Sequence, residues 1–527
     1  MSDLEPVIAP LGDRALRFPI PAHLDRRTLL ATLRAAAGIA DVILAEDIGA
    51  AALVDGASAA DATTAVHSIL TAPALSHVPV PVPVPVPDLP AHHIIRVIYD
   101  GADLPDLAAR LSLTTDDVIS LHTGREYEVA MLGFMPGFAY LRGLDPRLVV
   151  ERRAEPRPRV PAGSVAIAAG YTGIYPFASP GGWHILGEAV DHRPFDAATE
   201  SATLSIGDRV RFERAQRVVT PPSNAQPSAS TPEAIAPPPA AHLEVRKAQG
   251  PALVVDGGRV GHMHEGVPHG GPMVPEALAV ANAAAGNRDA GAAAIEVYGV
   301  LEVVARGGAI AVGDDASGGR VLADGEAYVV ATEGRTRVRY LAVRGGIDVP
   351  VVLGGRGTML GAGIGGYLGR ALRRGDRIAG GEADRDAGAE EIGHGHGHGH
   401  VGEGEREAET VVAILDGPDG DEAVLAAMDG ATFGISAMSD RTGTRLAVDR
   451  TDPALPSMQT ARDRKSMPMV RGAIEMTPTG LVVLGPDHPT TGGYPVVAVV
   501  RSDAIGLFFS VRIGGLVRLV RSAEKPT

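Results

Sequence analysis

Cysteine is absent from the 527-residue chain. That excludes disulfides, thiolate zinc sites and a cysteine nucleophile together, and it suits a reducing compartment. Lysine is nearly absent, with only Lys247, Lys465 and Lys525. Cationic chemistry therefore falls to arginine, whose planar fork suits bidentate binding of phosphate or carboxylate. Positive charge is in deficit overall: 48 Lys and Arg against 63 Asp and Glu give a formal net charge of −15. Such a field repels polyphosphate backbones, which argues against nucleic-acid binding. No G-x-x-x-x-G-K-[ST] run occurs, so a nucleotide would need something other than a P-loop. The start MSDLEPVIAPLGDRALRF carries acidic residues where a signal peptide has basic ones. No apolar run of signal or membrane-span length follows, and a cytoplasmic location is expected.

What is present divides the chain. The run VPVPVPVPVP at 78–87 cannot donate alternate backbone hydrogens and reads as a stiff, extended spacer. A Pro, Ser and Ala stretch at 220–241 has the composition of a flexible linker joining two proteins. A charged, Gly-rich stretch at 380–410, including HGHGHGH at 394–400, reads as a disordered insertion. The expected ordered pieces are 1–77, 88–215, 242–379 and 411–527. Short Val- and Ile-rich runs between Gly and Pro turns predict strands throughout. Helical periodicity is concentrated in LDRRTLLATLRAAAG near the start, LPDLAARLSLTTDDVISLH at 104–122 and MVPEALAVANAAAG at 273–286. The first piece reads as α+β. TGIYP at 172–176 echoes TGGYP at 491–495, and GDRVRF at 207–212 echoes RGDRI at 374–378. Duplicated barrels explain both echoes; chance recurrence of glycine turns also does.

GAGIGG at 361–366 has dinucleotide-binding spacing but no helix signal after it, and reads as a glycine-rich loop. The HGHGHGH imidazoles suit zinc, nickel or copper, or are incidental low complexity. GFMPGFAYLRG at 133–143 places two glycine-aromatic turns around a proline, bringing backbone amides together where an anion or carbonyl could dock. Phe134, Phe138 and Tyr140 read as core aromatics beside those turns. The stretch 161–187 adds hydroxyls at Thr172 and Ser179, and Trp183 beside His184.

These two stretches closely resemble the allophanate hydrolase subunit 1 (KipI) family, over residues 10 to 213 approximately. Its hallmarks are a G-F-x-P-G-F-x-Y-L run, P-A-G-S-V and T-G-[IV]-Y-P-x-x-S-P-G-G-W. Tyr171 stands where glutamine is common. The second half is similar to the subunit 2 (KipA) family. The segment 254–297 carries Asp256, Arg259, Asn282, Asn287 and Glu296 at matching positions. SDRTGTRL, RGAIEMTPTG and PDHPTTGGYP carry Asp440, Arg441, Arg445, Asp487, Thr490, Thr491 and Tyr494. Val274 replaces a carboxylate, and Gly270 a frequent serine.

The resemblance implies a mainly β chain: three cyclophilin-like β-barrel units, at 88–215, 242–379 and 411–527, preceded by a small α+β domain. It also implies a 5-oxoprolinase activity. There the B and C subunits, which the two halves resemble, act with a LamB/YcsF-type A subunit and use ATP and Mg2+ to open 5-oxoproline to glutamate. On this reading Asp256, Glu296, Asp440 or Asp487 would hold the metal, although no residue is assigned to it firmly. Arg259, Arg441 or Arg445 would bind phosphates, and His122 or His184 would move protons. Thr172, Ser179, Thr490, Thr491 and Tyr494 would complete the binding surface. The rival implications are a urea amidolyase-type carboxyltransferase and a non-catalytic kinase-inhibitor-type regulator.

Overall fold

The computed structural model describes residues 6–72, 90–190, 192–196, 201–216, 241–381, 409–448 and 465–522. The Val-Pro run at 78–87 lies outside them, as do nearly all of the linker at 220–241 and of the insertion at 380–410, including the His-Gly tract at 394–400.

The front of the chain is the expected α+β unit, a four-stranded antiparallel sheet with two helices. Arg26–Ala35 starts where the Asp25 side chain accepts from Thr28 N at 2.9 Å, satisfying one orphan donor of the first turn. Its buried Leu29 and Leu33 pack on the sheet. Ala59–Thr71, capped by Ser58, is a helix that the sequence reading missed.

The 104–122 stretch forms two helices, Leu104–Arg110 and Thr115–Thr123, the second closed by a Thr114/Asp117 capping box. They lead into a closed seven-stranded barrel. Its order is Tyr171–Ile174, Ala139–Arg142, Glu126–Leu132, Arg209–Arg214, His92–Ile98, His184–Val190 and Ser164–Ala168. A second closed barrel repeats this order with Gly480–Leu484, Gly443–Val448, Thr432–Ile435, Leu516–Arg521, Thr410–Asp416, Val496–Val500 and Ala473–Thr477. In each, the first strand of the unit pairs in parallel with the last. Barrels are thus found in two of the three expected units. The segment 242–378 instead forms a four-stranded and a five-stranded antiparallel sheet enclosing one core. Helix Pro275–Ala285 covers the outer face of the five-stranded sheet and shares an apolar cluster with the second barrel.

The repeat is real, and its register is specific. Gly163 N donates to Tyr175 O at 2.7 Å as Gly472 N does to Leu484 O at 2.8 Å. Ile185 pairs with Ala166 beside a bulge as Val496 pairs with Glu475 beside a bulge. SPGGW at 179–183 therefore corresponds to TTGGY at 490–494. TGIYP, which echoes TGGYP in letters, corresponds to residues 481–485 instead. The second echo holds. Gly207 and Asp208 bracket Val129 through N–H···O bonds of 2.8 and 2.9 Å, and Gly375 and Asp376 bracket Val245 with the same two distances.

Backbone approaches in these barrels leave no room for a Cβ at some glycines. One added at Gly187 would lie 2.1 Å from Ile98 O. Gly187→Ala should cost about 2–3 kcal/mol in urea unfolding, the upper part of the overpacking range, because a strand rather than a flexible side chain must move. A cost below the error of the measurement would show that the strand yields easily.

Candidate functional site

Alternation along Ala294–Val297 sends Ile295 and Val297 into the sheet–sheet core and Glu296 out of it, toward the second barrel. Glu296 is 0% exposed. It accepts from Met273 N at 2.7 Å, Tyr298 Oη at 2.6 Å, Tyr340 Oη at 2.7 Å and Arg441 Nη1. Arg441, on the loop before Gly443–Val448, also forks onto Asp487 (Nε–Oδ2 2.7 Å, Nη2–Oδ1 3.0 Å) and donates to Gly271 O at 2.7 Å. Burial opposes its charge, but Asp487 and Glu296 outweigh that and raise its pKa further. Arg471 lies alongside, donating to Pro272 O and Met273 O at 2.8 and 2.9 Å, with burial lowering its pKa to about 10. The network thus fixes residues 271–273. Val274 follows as an N-cap with no side-chain bond, its N–H held by Tyr340 Oη at 2.9 Å.

Arg259 and Asp256 organise the neighbouring glycine loops. Arg259 is buried and donates to Val352 O at 3.0 Å and to Gly357 O. Asp256 accepts from Gly258 N at 3.1 Å and from Arg356 N. GAGIGG packs tightly here: a Cβ on Gly365 would meet Gly357 O at 2.1 Å and Arg259 at 2.4 Å. Asn282 and Asn287 bond Ala290 O, Ala292 O and Val343 O, tying the end of their helix to the sheet.

The first half closes on this region. Phe134 N donates to Thr491 Oγ1 at 3.0 Å, and a Cβ on Gly133 would stand 2.2 Å from that oxygen, so only glycine lets the two loops touch. Gly137 N donates to Glu265 O at 2.9 Å. Asp41, buried in the N-terminal sheet, accepts from Gly261 N at 2.9 Å, Met263 N at 3.0 Å and His269 Nε2 at 3.1 Å.

Other expected site residues are placed differently. Asp440 is an exposed turn residue, accepting from Thr442 N and Gly443 N at 2.8 and 3.1 Å. Arg445 reaches Thr479 Oγ1 at 2.9 Å on the surface and stands outside the Arg441 network. His122 is enclosed in the first barrel, bonded to Tyr99 Oη at 2.7 Å and Thr172 Oγ1 at 2.9 Å. Burial lowers its pKa to about 3, so it is a neutral core group, and Thr172 is interior rather than an exposed hydroxyl. His184 is bonded to Glu151 O at 3.0 Å, and burial lowers its pKa. Ser179 and Thr490, at equivalent positions of the two barrels, have buried hydroxyls without partners. Tyr494 is 42% exposed.

The carboxylates expected to hold Mg2+ lie among the described residues. No three His, Asp or Glu side chains among them converge as metal ligands. Glu296 and Asp487 already accept from Arg441 and its neighbours.

Sequence reasoning missed Asp41, His269, Arg471, His488 and Glu475. All but Asp41 belong to recognised motif segments, but nothing in the letters indicates burial. His488 is fully buried, its Nδ1 donating to Pro489 O at 2.9 Å, and burial lowers its pKa to about 4. Glu475 stands where the first barrel has Ala166, and burial raises its pKa to about 7.

Two family models match the chain: carboxyltransferase domain subdomains C and D over residues 7–205, and subdomains A and B over residues 265–521. The B subunit of 5-oxoprolinase from Escherichia coli O157:H7 is 48% identical over 121 residues, 22% of this chain and 56% of that protein. The chain spans about half to three fifths of the length of the B-subunit relatives that it matches. The C subunit of 5-oxoprolinase from Escherichia coli K12 is 31% identical over 284 residues, 50% of this chain and 85% of that protein. The crystal structure of TTHA0988 aligns with a TM-score of 0.76 at 27% identity, covering 96% of this chain and 99% of the other.

Two outcomes follow for stability. Arg441→Met leaves Glu296 buried without its counter-charge, and should lower unfolding free energy by about 3–5 kcal/mol. A loss under about 1 kcal/mol in chemical denaturation would contradict the network's role. Glu475, with its folded pKa raised to about 7, binds its proton more tightly folded than unfolded. Its contribution is full below the unfolded pKa of about 4.5 and is lost as pH rises through 7, by about 3 kcal/mol in all. Glu475→Gln should flatten the pH dependence of stability between 5 and 8; an unchanged slope would assign the titration elsewhere.

Proposed function

Because the chain belongs to the fused allophanate hydrolase subunit 1 and subunit 2 (KipI–KipA) family, we propose that it serves as joined B and C components of a 5-oxoprolinase-like enzyme. The reaction is ATP-dependent opening of 5-oxoproline, or a related lactam or amide, to the open-chain acid, with a LamB/YcsF-type A subunit as partner. The observation that carries this reading is the junction itself. The loop resembling the B component donates Phe134 N–H to Thr491 of the half resembling the C component, so one surface draws on both.

A five-membered lactam is unstrained and its carbonyl carbon is a poor electrophile, which gives ATP coupling a chemical reason: phosphoryl transfer to the lactam oxygen would make it open to water. In this chain Arg259 and Arg441 are committed to backbone carbonyls, Glu296 and Asp487. The groups that hold nucleotide and metal are therefore assigned to the partner. This chain's share is to hold the lactam and exclude water. The carboxyltransferase alternative draws on the matched family descriptions and on a urea amidolyase of Lachancea kluyveri, 35% identical over 139 residues but only 7% of that protein. A regulator without catalysis draws on Val274 and Tyr171, which stand where the family has a carboxylate and a glutamine.

Phosphate release from Mg-ATP by the purified chain, with and without a LamB/YcsF-type partner and with and without 5-oxoproline, tests the proposal. Release is expected only when both are present. No release from folded protein in any combination would favour the carboxyltransferase or regulator reading.

A further inference from the structure

A cavity of about 350 Å³ lies where the N-terminal domain, the first barrel and the second-barrel segment meet. Tyr140, Tyr171 and Trp183 form an aromatic wall, with Tyr140 edge-on to both neighbours at centroid distances of 5.8 and 5.6 Å. Glu46, Arg152 and Lys465 also line it. Pockets at domain junctions with an apolar wall and a few polar groups are the usual form of a small-molecule site.

The wall has an unspent hydrogen-bonding capacity. Tyr140 and Trp183 are 5% and 6% exposed. Yet among the described residues neither the Tyr140 hydroxyl nor the Trp183 indole N–H has a hydrogen-bond partner, and neither is among the sealed polar atoms of the interior. Buried Tyr and Trp donors ordinarily find an acceptor. Other tyrosines here do: Tyr127 donates to His122 O at 2.8 Å and Tyr340 to Glu296 at 2.7 Å. The two free donors belong to residues that line one cavity, where an oxygen entering it, from water or a ligand, can accept from them.

Charged groups of both signs face the ligand. Glu46 is paired with Lys465 at 3.5 Å, a lysine that also holds Asp47 at 3.1 Å, and Glu151 lines the cavity beside Arg152. Arg152 is exposed and has no acidic partner among the described residues, leaving its fork open for a carboxylate.

We propose that this cavity binds a small ring amide carrying a carboxylate, Tyr140 and Trp183 donating to the amide oxygen and Arg152 receiving the carboxylate. The choice of ring amide rests on the lactam-opening reading. The existence of the site rests on the unpaired donors.

Trp183 is the only tryptophan in the chain, so selectively excited tryptophan emission reports on this cavity alone. The intact chain is titrated with 5-oxoproline, with 2-pyrrolidinone, which lacks the carboxylate, and with proline, which lacks the ring carbonyl. 5-Oxoproline should give a saturable change, and each of the other two should bind at least about tenfold more weakly. Tyr140→Phe and Arg152→Ala should each weaken 5-oxoproline by about tenfold or more, while Arg320→Ala, on a remote strand, binds as the parent does. Tyr140→Phe should melt with the parent, since its hydroxyl has no protein partner to lose.

No saturable change, or equal affinity in Tyr140→Phe and Arg152→Ala, overturns the assignment. If phosphate release with the partner still requires 5-oxoproline while Trp183 stays silent, the pocket assignment falls and the lactam reading stands. Saturable binding that depends on Tyr140, without turnover, supports the pocket and removes the lactam-opening reading.

Discussion

A guanidinium buried in a protein keeps its charge, and the ion network around Arg441 follows from that. Arg441 is 6% exposed and must be met by anions and acceptors; Glu296, Asp487 and Gly271 O meet it from three segments. Glu296 in turn orients two tyrosines and the backbone of Met273. A buried ion pair is weak evidence for net stability but strong evidence for geometry, because removing either member strands the other. What Arg441 fixes is where the sandwich, helix Pro275–Ala285 and the second barrel meet.

The first half is laid onto this assembly by several different interactions. Leu11, Ala15 and Ala50 of the N-terminal sheet share an apolar cluster with Met467, Met469, Leu484, Val496 and Val499 of the second barrel. Asp13 accepts from Ser502 Oγ at 2.6 Å, and Arg17 reaches Asp419 at 3.2 Å. Asp41 satisfies backbone donors that belong to the second half. The two halves are therefore interlocked: the N-terminal domain covers the second barrel, and the first barrel presents its glycine-aromatic loop to Thr491. The barrel correspondence gives this an internal logic. The loop at 133–138 and the loop carrying Arg441 precede equivalent strands, and SPGGW and TTGGY do likewise.

Strand-rich character, three helical stretches that form four helices, and the glycine turns could be read from periodicity, because they depend on local preference and on the pattern of burial. Helix Ala59–Thr71 carries the same kind of periodicity, with Ala62, Val66 and Leu70 buried at every fourth position, but its Thr, Ser and Val residues have weak helix propensity. The roles of acidic residues were not legible either. Asp440 and Asp487 sit in equally recognisable motifs, yet one caps an exposed turn and the other holds a buried arginine. His122 and His269 look alike in sequence, and only packing makes one a sealed core group and the other the partner of an interdomain carboxylate. Motif spacing says which residues lie near a loop; it does not say which lone pairs are already taken.

The central claim is that the two halves build one junction, and the bond from Phe134 N to Thr491 Oγ1 joins the glycine-aromatic loop of the first barrel to the second. Amide hydrogen exchange across residues 133–138 in the parent and in Thr491→Val measures this directly, because valine keeps the shape and removes the acceptor. The account predicts fast exchange at Phe134 in the variant, with Gly137, which donates to Glu265 O, still protected. Equal protection of Phe134 in both proteins would mean that the Thr491 hydroxyl does not hold this loop, and the claim that the two barrels are joined there would fail.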